Sequence, residues 1–535
     1  MMGPVTLGID LATASARCVA LDGCTGAVLA HADAPLPAPV RSAGGVSRQE
    51  ANYAAVAFAL MATVCRELAS AAARVGALSI TGTSGTVVAC DPSGTPLADA
   101  RLYDDTSSAG AVIAVGVGGG SSLGRMMSLQ NEIRSSGHQG PVLMRSTVDV
   151  VADALVGDVV ASDSSHALKA GIDLRDLTWP LEVMTSLGLE TRDLPELVPP
   201  GRVIGLVSPS VAAALGLPPG VCVVSGMTDG CTAQLSTGAI HAGDSMGVLG
   251  TTLVIKAVSA VEVRTGDGSV YSHLSPAGDF WPGGASSSGA GVLDTEFAGR
   301  DLGELDAAAS ARGPSTVVRY PLARVGERFP VADPTLHSLS SGVPVDEVDA
   351  YRAVLEGVAF VERLGLETLA ALGVRPHRHL ITGGATRSAT WNTIRATVLA
   401  PLLSAGPAGP AGPAGPAGPA GDAGPDALPG ESGVVHVPGG GSAVGAAILA
   451  AHGLATSRLP ARRLAGVGAG GEPPALATTV DRLVEAPVPV PPDPHQTQQL
   501  DQSYGVFLAL IGANALTNPT TSSAEQSAEG RPHHV

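Results

Sequence analysis

Apolar and polar positions along the first hundred residues alternate between strand-like and helix-like periods. From Val5 to Ala30 they give an apolar strand, a small-residue turn, a second strand over Arg17 to Leu21, a turn at Asp22-Gly23 and a third strand, the start of a β-meander. Helical spacing follows from Ala51 to Val75. A strand and loop then run from Leu78 to Asp91 and end at the turn Asp91-Pro92-Ser93-Gly94. Strands alternating with helices predict an α/β domain.

The opening pattern returns later in the chain. Val221 to Gly226 is a short apolar strand, and Gly247 to Val258 is a strand broken by a small-residue turn carrying hydroxyls, as near residue 5. Two similar halves with a boundary around 237 to 243 are expected: a domain over 1–240, a second over 241–514, and a disordered tail over 515–535. A chain of 535 residues is too long for one core, which agrees with two domains. The Gly-Pro-Ala triplets within Gly406 to Gly430 have a collagen-like period but are short and isolated. They read as a disordered surface insertion.

The formal charge of −17 excludes electrostatic attachment to nucleic acid or an anionic membrane, both of which need clustered cations. Met1 to Leu11 lacks a basic leader region and meets Asp10 early, so a cytoplasmic protein is expected. The six cysteines contain no C-x-x-C pair and read as reduced, mostly buried thiols. Only two lysines occur, Lys169 and Lys256, which fits a bias toward arginine codons. Neither lies in a G-K-[ST] loop or a V-A-I-K strand, which excludes P-loop and protein-kinase chemistry.

Four short motifs carry candidate chemistry. Asp10-Leu11-Ala12-Thr13 places a carboxylate and a hydroxyl at a strand end, a turn able to hold Mg²⁺ and phosphate, or simply a capped turn. Gly226-Met227-Thr228-Asp229-Gly230 sets a second carboxylate ahead of a helix, where Asp229 is either a general base for a hydroxyl or a helix cap. Gly250-Thr251-Thr252 offers free backbone amides and hydroxyls, as a phosphate loop or a hairpin turn does. Gly383-Gly384-Ala385-Thr386-Arg387-Ser388 follows the strand His379 to Thr382 and precedes Trp391. It allows close approach of a flat ligand, or is a strand-to-helix turn with a core tryptophan.

In this order the motifs resemble the FGGY carbohydrate kinases. The likeness continues through 163–173 (DSSHALKAGID), 281–291 (WPGGASSSGAG), 320–329 (YPLARVGERF) and 356–367 (EGVAFVERLGLE). The 320–329 stretch and Ser121-Ser122-Leu123 look most like the D-ribulose/D-xylulose kinase branch. The resemblance implies two RNase H-like α/β domains of the actin-like ATPase, sugar kinase and Hsp70 superfold, with the active site in the cleft between them. It further implies ATP and Mg²⁺ as cofactors, a small-molecule sugar as substrate, phosphorylation of a ketopentose at its terminal hydroxyl, and a homodimer as a common assembly. Asp10 is then the metal and catalytic carboxylate, Thr13 faces phosphate and sugar, Ser84 contacts sugar and Asp229 is the base. Gly250, Thr251 and Thr252 cradle phosphate, while Gly383, Gly384, Ser388 and Trp391 border the adenine. Ala12 and Ala385 stand where the family often has glycine, and residues 106–140 look poor in helix. These departures leave open a kinase for glycerol or gluconate, and a catalytically weak nucleotide and sugar sensor.

Overall fold

The computed structural model describes residues 3–192, 194–404, 433–457 and 474–517. The Gly-Pro-Ala run and the tail beyond 517 lie outside the described residues. Two sheets organise the rest. The first has six strands in the order Val203–Leu206, Cys222–Val224, Val75–Gly82, Val5–Leu11, Ser15–Asp22 and Val28–Pro35. The second has seven, in the order Tyr271–Leu274, Phe280–Ser286, Leu253–Ala257, Asp244–Leu249, Arg378–Thr382, Gly433–His436 and Val488–Val490.

The repeat expected from the sequence is present as topology. In each sheet the founding strand, Val5–Leu11 or Asp244–Leu249, pairs antiparallel with the next strand and parallel with a later one. A second parallel strand and then an antiparallel edge strand follow on that side in both sheets. Both faces of Val5–Leu11 are buried, which is why it reads as a continuous apolar run.

Helix Tyr53–Leu68 covers one face of the first sheet. Its buried Tyr53, Ala57, Leu60, Met61, Val64 and Leu68 recur at three- and four-residue spacing. The helical stretch Tyr53–Arg74 is apolar and long enough to span a membrane by composition, but its apolar stripe is spent on the sheet. The other face receives Ser442–Thr456, a helix that belongs to the second half by sequence. Its approach depends on missing side chains: a Cβ on Gly8 would lie 1.9 Å from the Ala443 carbonyl, and one on Gly445 would lie 1.7 Å from the Thr232 carbonyl. A shared cluster that includes Leu21, Met227, Leu235, Trp281, Ala447 and Ile448 joins the two halves.

Two local expectations are corrected. Residues 106–140 contain the helices Ala109–Ala114 and Ser122–Ser135, the longer one capped by the Ser121 hydroxyl, which accepts from the Leu123 N–H. The final helix, Thr497–Thr517, continues past residue 515; upstream, its Tyr504 and Phe507 pack against Phe360, and Phe507 also stacks on Tyr320. No disulfide forms among the described residues; five cysteines are buried and Cys24 is exposed.

Candidate active site

In each sheet the carboxyl ends of the parallel strands lie along one edge, which is where open α/β sheets place ligands. In the first half Asp10 pairs with Thr81, and Gly82 bridges to Thr228, so the Asp10 turn, the 82–86 loop and the Asp229 turn share one edge. In the second half Val248 pairs with Thr382, which brings Gly250 and Gly383 to the matching edge of the other sheet.

Hydrogen bonds fix the Asp229 turn. The Thr81 hydroxyl donates to the Met227 carbonyl at 2.8 Å and lies 2.9 Å from the Thr232 hydroxyl. The Ser165 hydroxyl accepts from the Thr228 N–H at 3.1 Å. Thr228, and not Asp229, occupies the cap position of helix Asp229–Thr237. The carboxylate of Asp229 accepts from the Gly230 N–H at 2.6 Å and keeps its other oxygen available. The capping alternative for Asp229 is thereby set aside.

Asp10 and Asp229 influence one another. Burial raises Asp10 to about 7, the like charge of Asp229 adds to the rise, and Arg17 works against it. Burial likewise raises Asp229, opposed by the Gly230 N–H and by His166, Lys169 and Lys256. Asp10 Oδ1 is buried without a hydrogen-bond partner among the described residues. An orphaned, desolvated carboxylate oxygen fits a divalent cation that prefers oxygen ligands and keeps water in its remaining positions.

Holding Asp10 in this state destabilises the unliganded fold. A carboxyl whose folded pKa is raised costs nothing where both states are protonated, below about 4, and its full cost applies above about 7. Asp10→Asn is therefore expected to raise the melting temperature of the unliganded protein at pH 7.5, by a gain on the order of a few kcal/mol. The gain shrinks toward zero as pH falls to 4. A variant equally or less stable than the parent at pH 7.5 contradicts the environment described for Asp10.

The other sequence candidates fall as follows. Thr13 is half-buried, and its carbonyl accepts from the Gln49 amide at 2.7 Å. Ser84 is half-buried, and its carbonyl accepts from Lys169 Nζ at 3.0 Å. Above Gly250 there is open space, while Thr251 is exposed and Thr252 half-buried beside it. Gly383 adopts φ +100°, and a Cβ there would sit 2.5 Å from the Leu249 carbonyl, so only glycine lets the two turns of this half meet. Gly384 is exposed. The Ser388 hydroxyl caps helix Ala389–Leu403, accepting from the Trp391 N–H at 2.9 Å while donating to Asp306.

Trp391 is a correction. It is 2% exposed, and its indole N–H donates to the Leu355 carbonyl at 3.0 Å. The residue packs in the second core and presents no face to the cleft. The turn ahead of it, at Gly383 and Gly384, keeps the open surface.

Sequence reasoning passed over His166, Lys169 and Lys256, whose charges act on Asp229, and His273, which meets Ser165. His166 is buried, with Nδ1 2.8 Å from Asp163 and Nε2 3.3 Å from the Gly82 carbonyl. His273 Nδ1 lies 2.9 Å from the Ser165 hydroxyl, and burial, with Lys256 next, holds the ring well below the usual imidazole range. Lys256 is 4% exposed beside the Tyr271 ring, and Lys169 lies near the Tyr103 ring. The signal was present, because the only two lysines of the chain both lie at this site.

The fold and site together define a two-sheet α/β protein with paired carboxylates at the strand ends. Residues 143–236 match the N-terminal domain of the FGGY family of carbohydrate kinases, and residues 247–415 match its C-terminal domain. The chain carries matches to both domains of that family, in their order. It is 26% identical over 254 residues to a xylulose kinase from Klebsiella pneumoniae, covering 46% of this chain and 52% of that protein. A gluconokinase from Bacillus licheniformis is 25% identical over 262 residues, covering 45% and 51%. The chain thus spans about half the length of the curated relatives it matches. A solved xylulose kinase from Rhodospirillum rubrum superposes with TM-score 0.76 at 23% identity, over 96% of this chain and 99% of that one, which establishes a common fold.

Proposed function

We propose that this protein transfers the γ-phosphoryl group of ATP to the terminal hydroxyl of a small polyhydroxylated acceptor. The observation that carries the reading is the pair of mutually repelling carboxylates, Asp10 and Asp229, at the strand-end edge of one sheet, with the Gly250 and Gly383 turns at the corresponding edge of the other. Asp229 accepts the acceptor's hydroxyl proton, a task suited to a carboxylate whose pKa is raised by burial. Asp10 holds the Mg²⁺ that accompanies ATP, which supplies neutralisation of phosphate charge. Thr13, Gly250, Thr251 and Thr252 receive the phosphates, Gly383 and Gly384 the adenine, and the Ser84 loop the acceptor. The chemistry needs positioning and charge complementarity more than covalent help.

A ketopentose, D-ribulose or D-xylulose, converted to its 5-phosphate is the acceptor favoured by the xylulose kinase likeness. A sugar acid is the second reading, favoured by the gluconokinase likeness and by the lysine beside Ser84. The net charge of −17 supports a setting away from nucleic acid and anionic membranes; a cytoplasmic location and a homodimer rest on the family likeness. The test is Mg²⁺-dependent ATP consumption across D-ribulose, D-xylulose, glycerol and D-gluconate. Acceptor-dependent turnover with at least one is expected, and ATP consumption indifferent to every acceptor contradicts the reading.

A further inference from the structure

Arg125 and Lys169 converge on Gly85, next to the loop residue Ser84 that we assign to the acceptor. A Cβ built on Gly85 would lie 3.0 Å from Arg125 Nη2, 2.8 Å from Lys169 Cδ and 3.6 Å from Lys169 Nζ, so both cations flank one bare Cα. The Arg125 guanidinium is 2% exposed and donates only to backbone carbonyls, those of Gly85 at 2.7 Å, Asp105 at 3.3 Å and Gly120 at 3.0 Å. Lys169 donates one hydrogen bond, to the Ser84 carbonyl at 3.0 Å, leaving two N–H bonds without a protein acceptor among the described residues.

Neither cation forms an ion pair with a carboxylate among the described residues, although Arg101, Arg134 and Arg145, on neighbouring elements of this half, all do. Arg125 is buried and Lys169 half-buried; the charge of Asp229 acts on Lys169 and those of Asp104 and Asp105 on Arg125, but among the described residues no carboxylate is in direct contact with either cation, so their desolvation is only partly offset in the empty site. Burial, with Arg125 the next contributor, brings Lys169 down to about 8, which leaves it mostly protonated at neutral pH. A neutral ketose offers hydroxyls and a carbonyl and would leave Lys169 without a directly bonded anion. A carboxylate on the acceptor supplies one.

We propose that Lys169, backed by Arg125, forms an anion subsite in the acceptor pocket, so that a carboxylate-bearing polyol of the aldonate class is preferred over a matched neutral one. The inference rests on the kinase reading and decides between its two acceptor classes. Lys169 is then a specificity residue, touching the acceptor's carboxylate at the end remote from the hydroxyl that Asp229 deprotonates. Lys256, buried near Gly230, is not part of it.

The experiment is calorimetric binding of D-gluconate and D-glucitol to the full chain without nucleotide, for the parent, Lys169→Met and Lys169→Arg. The parent is expected to bind gluconate at least about 10-fold more tightly than glucitol, and Lys169→Met to lose about 30-fold for gluconate while glucitol is unchanged, in line with truncation of one member of a desolvated charge pair. Lys169→Arg retains part of the preference. Lys169→Met also melts at a higher temperature than the parent when unliganded, which separates loss of the subsite from loss of the fold. Equal weakening of both ligands, or a parent that binds glucitol or D-xylulose more tightly than gluconate, overturns the subsite. If gluconate binds through Lys169 but no acceptor draws ATP turnover, the kinase reading fails and the subsite stands. If D-xylulose is phosphorylated and gluconate is ignored, the kinase reading stands and the subsite fails.

Discussion

Asp229→Ala is expected to lower kcat by a factor of about 10² to 10⁴ while leaving ATP affinity within a few-fold of the parent. The separation follows from position. Asp229 opens a helix whose cap position is held by Thr228, and the preceding turn is fixed by Thr81 and Ser165, so apart from the Gly230 N–H the backbone does not depend on the carboxylate. The nucleotide turns at Gly250 and Gly383 belong to the other sheet. Removing a like charge from beside Asp10 also brings the Asp10 pKa down, which favours metal binding and works against any loss of ATP affinity. Steady-state turnover with the best acceptor, paired with calorimetric ATP binding, checks both halves. Parent-like turnover removes Asp229 from the chemistry, and a parallel loss of ATP binding makes its role structural.

The largest stability effect is expected at Glu362→Ala, about 3–5 kcal/mol of destabilisation in urea unfolding. Glu362 is 0% exposed and accepts from Arg395 through Nε at 2.7 Å and Nη2 at 2.5 Å, with His379 Nε2 a further 3.0 Å away. His379 in turn lies 2.8 Å from the Ser245 hydroxyl, and Arg395 reaches the Gly247 carbonyl at 3.4 Å. The cluster therefore sits under the two strands whose ends carry the Gly250 and Gly383 turns. Burial alone would raise Glu362, but Arg395 overrides it and His379 adds to the effect, holding the carboxyl at about 2. A depressed carboxylate stabilises fully above its unfolded pKa, so this contribution is present above about 4.5 and lost as pH falls toward 2. Truncation leaves Arg395 charged and unpaired in the core. A loss under 1 kcal/mol at pH 7 contradicts this account of the second core.

What the sequence made legible follows from which physical signals are local. The repeated strand, turn and strand near residues 5 and 245 is local, and it correctly announced two sheets of the same topology. The carboxylates Asp10 and Asp229 were legible for the same reason, since a strand end followed by a turn places a side chain at a sheet edge. Trp391 was not, because an aromatic three residues past a cap serves a ligand or a core equally well, and only the helix phase against Leu355 decides. Nor was the docking of Ser442–Thr456 on the first sheet and on helix Asp229–Thr237, which depends on Gly8 and Gly445 respectively meeting backbones distant in the chain. The lysines show a third case: their rarity was visible, but composition explained it until the fold brought both to Asp229.

The central claim is phosphoryl transfer to an acceptor hydroxyl, and the most direct measurement is ³¹P NMR of the full chain incubated with ATP, Mg²⁺ and each acceptor in turn. The account predicts a new phosphate monoester resonance growing with ADP in equal amount, at the terminal hydroxyl of one acceptor, and absent with Asp229→Ala. ADP accompanied only by inorganic phosphate, at a rate no acceptor changes, would contradict it.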